Sequence, residues 1–187
     1  MPFDFNSFYK TVADYETEVK TLLDNQRNET DVQNRMVREN LFNLAKDPKK
    51  TYLPPAIKDP VPYINFSDLD NALVQLKASA EDYQRSYANA VKLPLDQQKK
   101  LNDILYKAEQ RLIYQNGLPR RPWYKHEIYA PGFYTGYGVK TLPGIREAIE
   151  QKNWKEAQEN INIVSQTLQA YNKQVQQALG VMNKPTF

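Results

Sequence analysis

Cysteine is absent from the 187 residues, and histidine occurs once, as His126. Disulfides, thiolate metal sites and cysteine nucleophiles are excluded at once. A zinc site with two His ligands cannot be built from this chain alone. No run of about 18 apolar residues occurs, so nothing in the sequence spans a membrane. The N-terminus, MPFDFNSFYK, has neither the basic region nor the apolar region of a signal peptide. Glycine is scarce, at 6 residues, against 12 prolines and 13 tyrosines. Few glycines suit long helices, and the prolines must then lie in connections. Charge is nearly balanced, at 25 basic and 22 acidic residues, which argues against a protein that coats nucleic acid.

What is present is helical periodicity. Phe5, Phe8, Val12, Tyr15, Val19 and Leu22 recur at spacings of three and four. So do Leu69, Leu73, Leu76, Ala80, Tyr83 and Tyr87; then Leu101, Ile104, Leu105, Ala108 and Leu112; then Trp154, Ala157, Ile161, Val164, Leu168, Tyr171, Val175 and Ala178. Each set is one stripe of an amphipathic helix. The expectation is a single all-α domain over 1–187, a four-helix bundle of long amphipathic helices. Asp4 or Asn6 can cap the first helix, and Asp68 and Asp70 suit the start of the next. Pro94-Leu95-Asp96 opens the third, Asn153 with Glu156 three residues on opens the last, and Gly180 is expected to end it.

Two inserts interrupt the pattern. Residues 31–63 read as a short extra helix, Asp31 to Ala45, followed by a strap with five prolines in 47–63. Residues 117–145 form a long loop with five of the six glycines and six of the 22 aromatics. It carries four basic residues and one acidic, so the whole net charge of +3 lies in it. Loops of this length are usually functional or flexible.

Within it, the basic-aromatic run Arg120-Arg121-Pro-Trp123-Tyr124-Lys125-His126 can hold an anion, since guanidinium forks match phosphate and carboxylate. The bland alternative is that its aromatics pack on the helices and its charges face water. His126 has no Ser or Asp close in sequence, which favours a structural role over that of a general base. Tyr134-Thr-Gly136-Tyr137-Gly138 lacks the spacing of a phosphate loop. Asn28-Glu-Thr30 and Asn65-Phe-Ser67 are formal glycosylation sequons.

The run Gly117-Leu-Pro-Arg-Arg121-Pro-Trp-Tyr-Lys-His126-Glu-Ile-Tyr129-Ala-Pro131, with Pro143-Gly-Ile145 after eleven further residues, resembles the C-terminal helical domain of glutamate carboxypeptidase II and its relatives. That fold is shared with the transferrin receptor dimerisation domain. Pro2-Phe3-Asp4 and the Tyr-containing helix after it resemble the start of the same domain. The resemblance implies a parent protein whose protease domain holds two zinc ions, with no metal or cofactor in this chain. It implies a homodimer, contact with the parent's own protease domain, and action outside the cytoplasm. It also implies that the glycine-rich loop lends a Lys-Tyr pair to the substrate pocket. The Tyr falls on Tyr137, between Gly136 and Gly138. The Lys falls on Gly136, which leaves Lys140, three residues past Tyr137, as the candidate substitute. Arg121, Trp123, Tyr124, His126 and Tyr129 are then expected to anchor the loop. The chain by itself is expected to be no enzyme. The rival from another class is a free-standing helical protein that uses 117–145 to bind an anionic ligand.

Overall fold

The computed structural model describes residues 3–45, 47, 49, 53, 55–136 and 138–183. Five α-helices make up most of it: α1 Phe5–Arg38, α2 Ser67–Ala90, α3 Leu95–Tyr106, α4 Pro143–Glu150 and α5 Trp154–Met182. A two-stranded antiparallel hairpin, β1 Tyr129–Pro131 and β2 Val139–Thr141, is the sheet among the described residues. Its register pairs Tyr129 with Thr141, Ala130 with Lys140 and Pro131 with Val139.

α5 is the central element. Ala157, Ile161, Val164, Leu168, Val175 and Ala178 are wholly buried along it, at the three-and-four spacing that marks them in the sequence. They meet α2 through Leu69, Leu73, Leu76 and Ala80, α3 through Leu101 and Leu105, and α4 through Ile145, Ala148 and Ile149. α1 closes the core with Phe5, Val12, Val19 and Leu23. Trp154 lies at the margin, partly buried against the core rather than inside it, because it occupies the first turn of α5.

The expected caps form at α1 and α5. The Asp4 carboxylate accepts from the Ser7 amide at 2.9 Å, and Asn153 accepts from the Glu156 amide at 3.3 Å. At α2 the side chain that turns the chain is Asn65, whose Oδ1 accepts from the Ser67 amide at 2.9 Å.

Three expectations are corrected. No separate helix covers Asp31 to Ala45: α1 runs unbroken to Arg38, and a 3₁₀ turn, Leu41–Ala45, follows. The buried stripe of α1 does not stop at Leu23 but turns polar, continuing in phase as Thr30 and Asn34. The reason lies in the partner. Asn34 donates to the Lys58 carbonyl at 2.9 Å and accepts from the Lys58 amide at 2.8 Å. This half of α1 therefore faces strap backbone, which requires hydrogen bonds rather than methyl groups. The chain leaves the helix at Asn40, in the left-handed region at φ 57°, where Asn is among the better tolerated residues. Second, Gly180 does not end α5, which continues to Met182 with Asn183 at the cap. Third, the stripe through Leu112 is not one helix: α3 stops at Tyr106, and Glu109–Leu112 is a 3₁₀ turn. Of the strap, residues 48, 50–52 and 54 lie outside the described residues.

The Pro143-Gly-Ile145 motif acquires a physical meaning. Leu142 precedes α4 at φ 44°, Pro143 supplies a first helical residue that needs no amide partner, and Ile145 is fully buried. Gly144 lets α4 press onto α5: a Cβ there would fall 2.2 Å from the Asn160 amide oxygen. Asn160 is buried and its Nδ2 donates to the Glu156 carbonyl at 2.8 Å, so it cannot simply swing away. Gly144→Ala is expected to cost about 1–3 kcal/mol through overpacking. An unchanged midpoint in chemical denaturation would contradict this close approach.

Candidate functional site

The long loop is built as two successive hairpin-like turns on one end of the helices. In the first, Leu118 donates to the Tyr124 carbonyl at 2.7 Å, Tyr114 to Lys125 at 2.8 Å, and Glu127 to Leu112 at 3.0 Å. Gly117 permits the tight return: it sits at φ +70°, and a Cβ would lie 2.3 Å from the Pro122 carbonyl oxygen. Leu118 and Ile128 point inward and are buried. The second turn is the β1–β2 hairpin, closed by the Gly132 amide on the Gly138 carbonyl at 2.8 Å. The stretch 117–145 is thus not all loop, since Pro143–Ile145 already belong to α4.

Three of the loop's four cations are paired with carboxylates of α4 and α5. Arg121 and Glu147 form an ion pair at 3.1 Å with both side chains almost wholly buried, at 2% and 3% exposure. The same Glu147 oxygen accepts from the Phe133 amide at 2.8 Å. One carboxylate therefore joins the first turn, the hairpin and α4. Arg120 forks onto Glu156 of α5 at 3.0 and 2.8 Å. Both guanidinium groups lie near 6 Å from the Phe133 ring, at 5.8 and 5.9 Å. Lys140 reaches Glu150 of α4 at 2.7 Å. Lys125 donates to Gln115 at 3.3 Å. The positive charge that the sequence concentrates in the loop is the counterpart of acidic residues 10 to 36 positions away.

His126 is partly buried and faces Tyr129, with ring centroids 4.4 Å apart. Its Nδ1 accepts from the Ile128 amide at 3.4 Å. Burial lowers its pKa, against a smaller upward pull from Glu109. Glu127, the one acidic residue of the loop, is buried, and neither carboxylate oxygen has a hydrogen-bond partner among the described residues. Burial alone raises its pKa to about 7. Nothing in the local sequence of Glu147 separates it from a solvent-facing helix residue.

The hairpin projects outward. Tyr134 and Val139 are exposed, and Phe133 and Tyr129 half-exposed. Trp123 stands 70% exposed, so this expected anchor does not pack on the helices, whereas Arg121 does. Tyr124 is exposed as well, at 39%. Gly136 lies at φ +62° with open space around it, and Gly138 is exposed. Tyr137 lies outside the described residues. Beside the hairpin, Glu18, Thr135, Gly138, Val139, Lys140, Thr141 and Arg146 line an open cleft of about 370 Å³. Arg146 braces its wall, donating to the Thr141 carbonyl at 3.1 Å and pairing with Glu18 of α1. Among the described residues, no three His, Asp or Glu side chains gather as a metal site would require. No helix among them is long and apolar enough to cross a membrane.

Residues 64–176 match the transferrin receptor-like dimerisation domain, and the chain belongs to that family. It is similar to a probable glutamate carboxypeptidase, LAMP1, of Arabidopsis thaliana, with 40% identity over 77 residues, 37% of this chain and 11% of that protein. A probable glutamate carboxypeptidase of Arthroderma benhamiae is 33% identical over 109 residues, 57% of this chain and 15% of that protein. The chain thus spans only a small part of the curated relatives it matches.

Proposed function

We propose that this chain is the non-catalytic helical domain of a glutamate carboxypeptidase-like zinc peptidase that works outside the cytoplasm. As one domain, it associates with a second copy and with the parent's own protease domain. The four longer helices act as its bundle, with α4 as a brace for the loop. The zinc ions belong to the parent's protease domain. The loop residues Gly136, Tyr137, Gly138 and Lys140 line the parent's substrate pocket.

The observation that carries this reading is the bracing of the hairpin. Glu147 and Glu150 hold its base on α4, and Glu156 holds the preceding turn on α5 through Arg120, while Phe133, Tyr134, Gly136 and Gly138 stay exposed. The same bracing speaks against a free-standing protein that binds anions through 117–145, because Arg120, Arg121 and Lys140 already have carboxylate partners. Lys140 would meet a substrate carboxylate with one of its three N–H donors already on Glu150.

Gly136→Lys tests the placement. Space around the position is open, and the left-handed backbone is expected to cost about 1–2 kcal/mol. In the full-length parent the change should raise the kcat/KM preference for substrates ending in glutamate. An unchanged preference in a folded variant would place the tip away from the pocket.

A further inference from the structure

We propose that Asn65 is an acceptor for an N-linked glycan and that Asn28, the other sequon asparagine, is not. Both triplets satisfy the sequence rule, which makes them candidates and nothing more. Their surroundings differ. Asn28 lies deep inside α1, where residues two apart project to opposite sides. Accordingly Asn28 is exposed while Thr30 is buried, at 3% exposure. An enzyme cannot engage that amide and that hydroxyl together once the helix has formed.

Asn65 lies in the non-helical connection before α2, and both Asn65 and Ser67 are exposed. The Asn65 side chain bends toward Ser67, with Oδ1 on the Ser67 amide, and its Nδ2 makes no hydrogen bond among the described residues. Gln158 of α5 pins the backbone at this point, accepting from the Asn65 amide at 2.8 Å and donating to its carbonyl at 2.9 Å. The amide nitrogen is therefore held out to solvent by a fixed backbone. Two residues earlier stands Tyr63, 82% exposed and without a ring partner among the described residues. An uncovered aromatic face beside the attachment point can stack on the C–H face of the first sugar. Asn28 has no such neighbour: the residue two before it is Gln26, whose side chain is spent on the Ile149 carbonyl at 3.0 Å.

The reaction forms a bond from Asn65 Nδ2 to the anomeric carbon of an N-acetylhexosamine carried on a lipid diphosphate. The lipid diphosphate leaves with the bonding electrons, and Nδ2 gives up one proton. The proposal rests on the extracytoplasmic reading above only for its occurrence in the native protein. Forced secretion tests the site independently of that reading.

The experiment is expression of the whole chain behind a secretion leader in a eukaryotic cell, read by intact mass before and after an amidase that converts glycosylated Asn to Asp. One glycan is expected, with the Asp at position 65. Ser67→Ala, which keeps the Asn65 side-chain bond to the backbone, should lose it, and Asn28→Gln should not. Tyr63→Ala should keep the glycan but lose any rise in melting temperature that the glycan confers. An unmodified chain, modification at Asn28 instead, or a glycan that survives Ser67→Ala would overturn the proposal.

Discussion

Glu147→Ala should be the most damaging single substitution in the loop's support, lowering stability by about 3–5 kcal/mol. It leaves the Arg121 guanidinium buried without its counter-charge and takes the acceptor from the Phe133 amide. For a chain of this length that is a fall of roughly 10 °C in melting temperature. The pair's worth and the cost of breaking it are different quantities. Arg121 Nε and Nη2 already lack partners among the described residues, so the pair is incompletely compensated. The double variant Arg121→Met with Glu147→Leu should therefore lose much less than the sum of the single changes. A double-mutant cycle by chemical denaturation reads this directly. Additive losses would mean that the two side chains act independently.

The second large effect is one of pH. Glu127 is held neutral by burial, with a folded-state pKa of about 7 against an ordinary value of 4.5. The folded chain therefore keeps a proton that the unfolded chain has released between those values. Its stabilising contribution is fully present below about pH 4.5 and is lost as pH rises through about 7, a change of about 3 kcal/mol. Glu16, raised to about 7 by burial with Lys20 opposing, pulls in the same direction. His126, lowered by burial, pulls the other way, destabilising the fold as acid protonates it. Glu127→Gln isolates one share. The variant should gain on the wild type as pH rises from 5 to 8, and a stability difference constant over that range would refute the buried-neutral state.

Much of the fold is legible in the sequence because helix stripes and caps are local. The α5 stripe and its Asn153 cap lie where the periodicity places them, and so does the Pro94 start of α3. The unbroken α1 is not legible, since its stripe turns polar at Thr30 and Asn34, and Asn34 meets strap backbone that only the fold brings near. Gly180 misleads because glycine at a helix end is a habit of sequences and not a barrier: nothing presses on the helix there. The site is harder to read for a related reason. The loop's excess of positive charge is plain in the sequence, but its partners Glu147, Glu150 and Glu156 are ordinary helix glutamates until α4 folds back against the hairpin. Trp123 shows the converse error, an aromatic expected to anchor that instead faces solvent.

The most direct test of the proposed role is Tyr137→Phe in the full-length peptidase, with kinetics and melting measured on one preparation. The substitution removes only a hydroxyl. A pocket-lining tip should raise KM by an amount equivalent to about 0.5–1.5 kcal/mol of lost hydrogen bonding, while the melting temperature stays put. Wild-type kinetics with a lowered melting temperature would contradict it and make the tip a packing element.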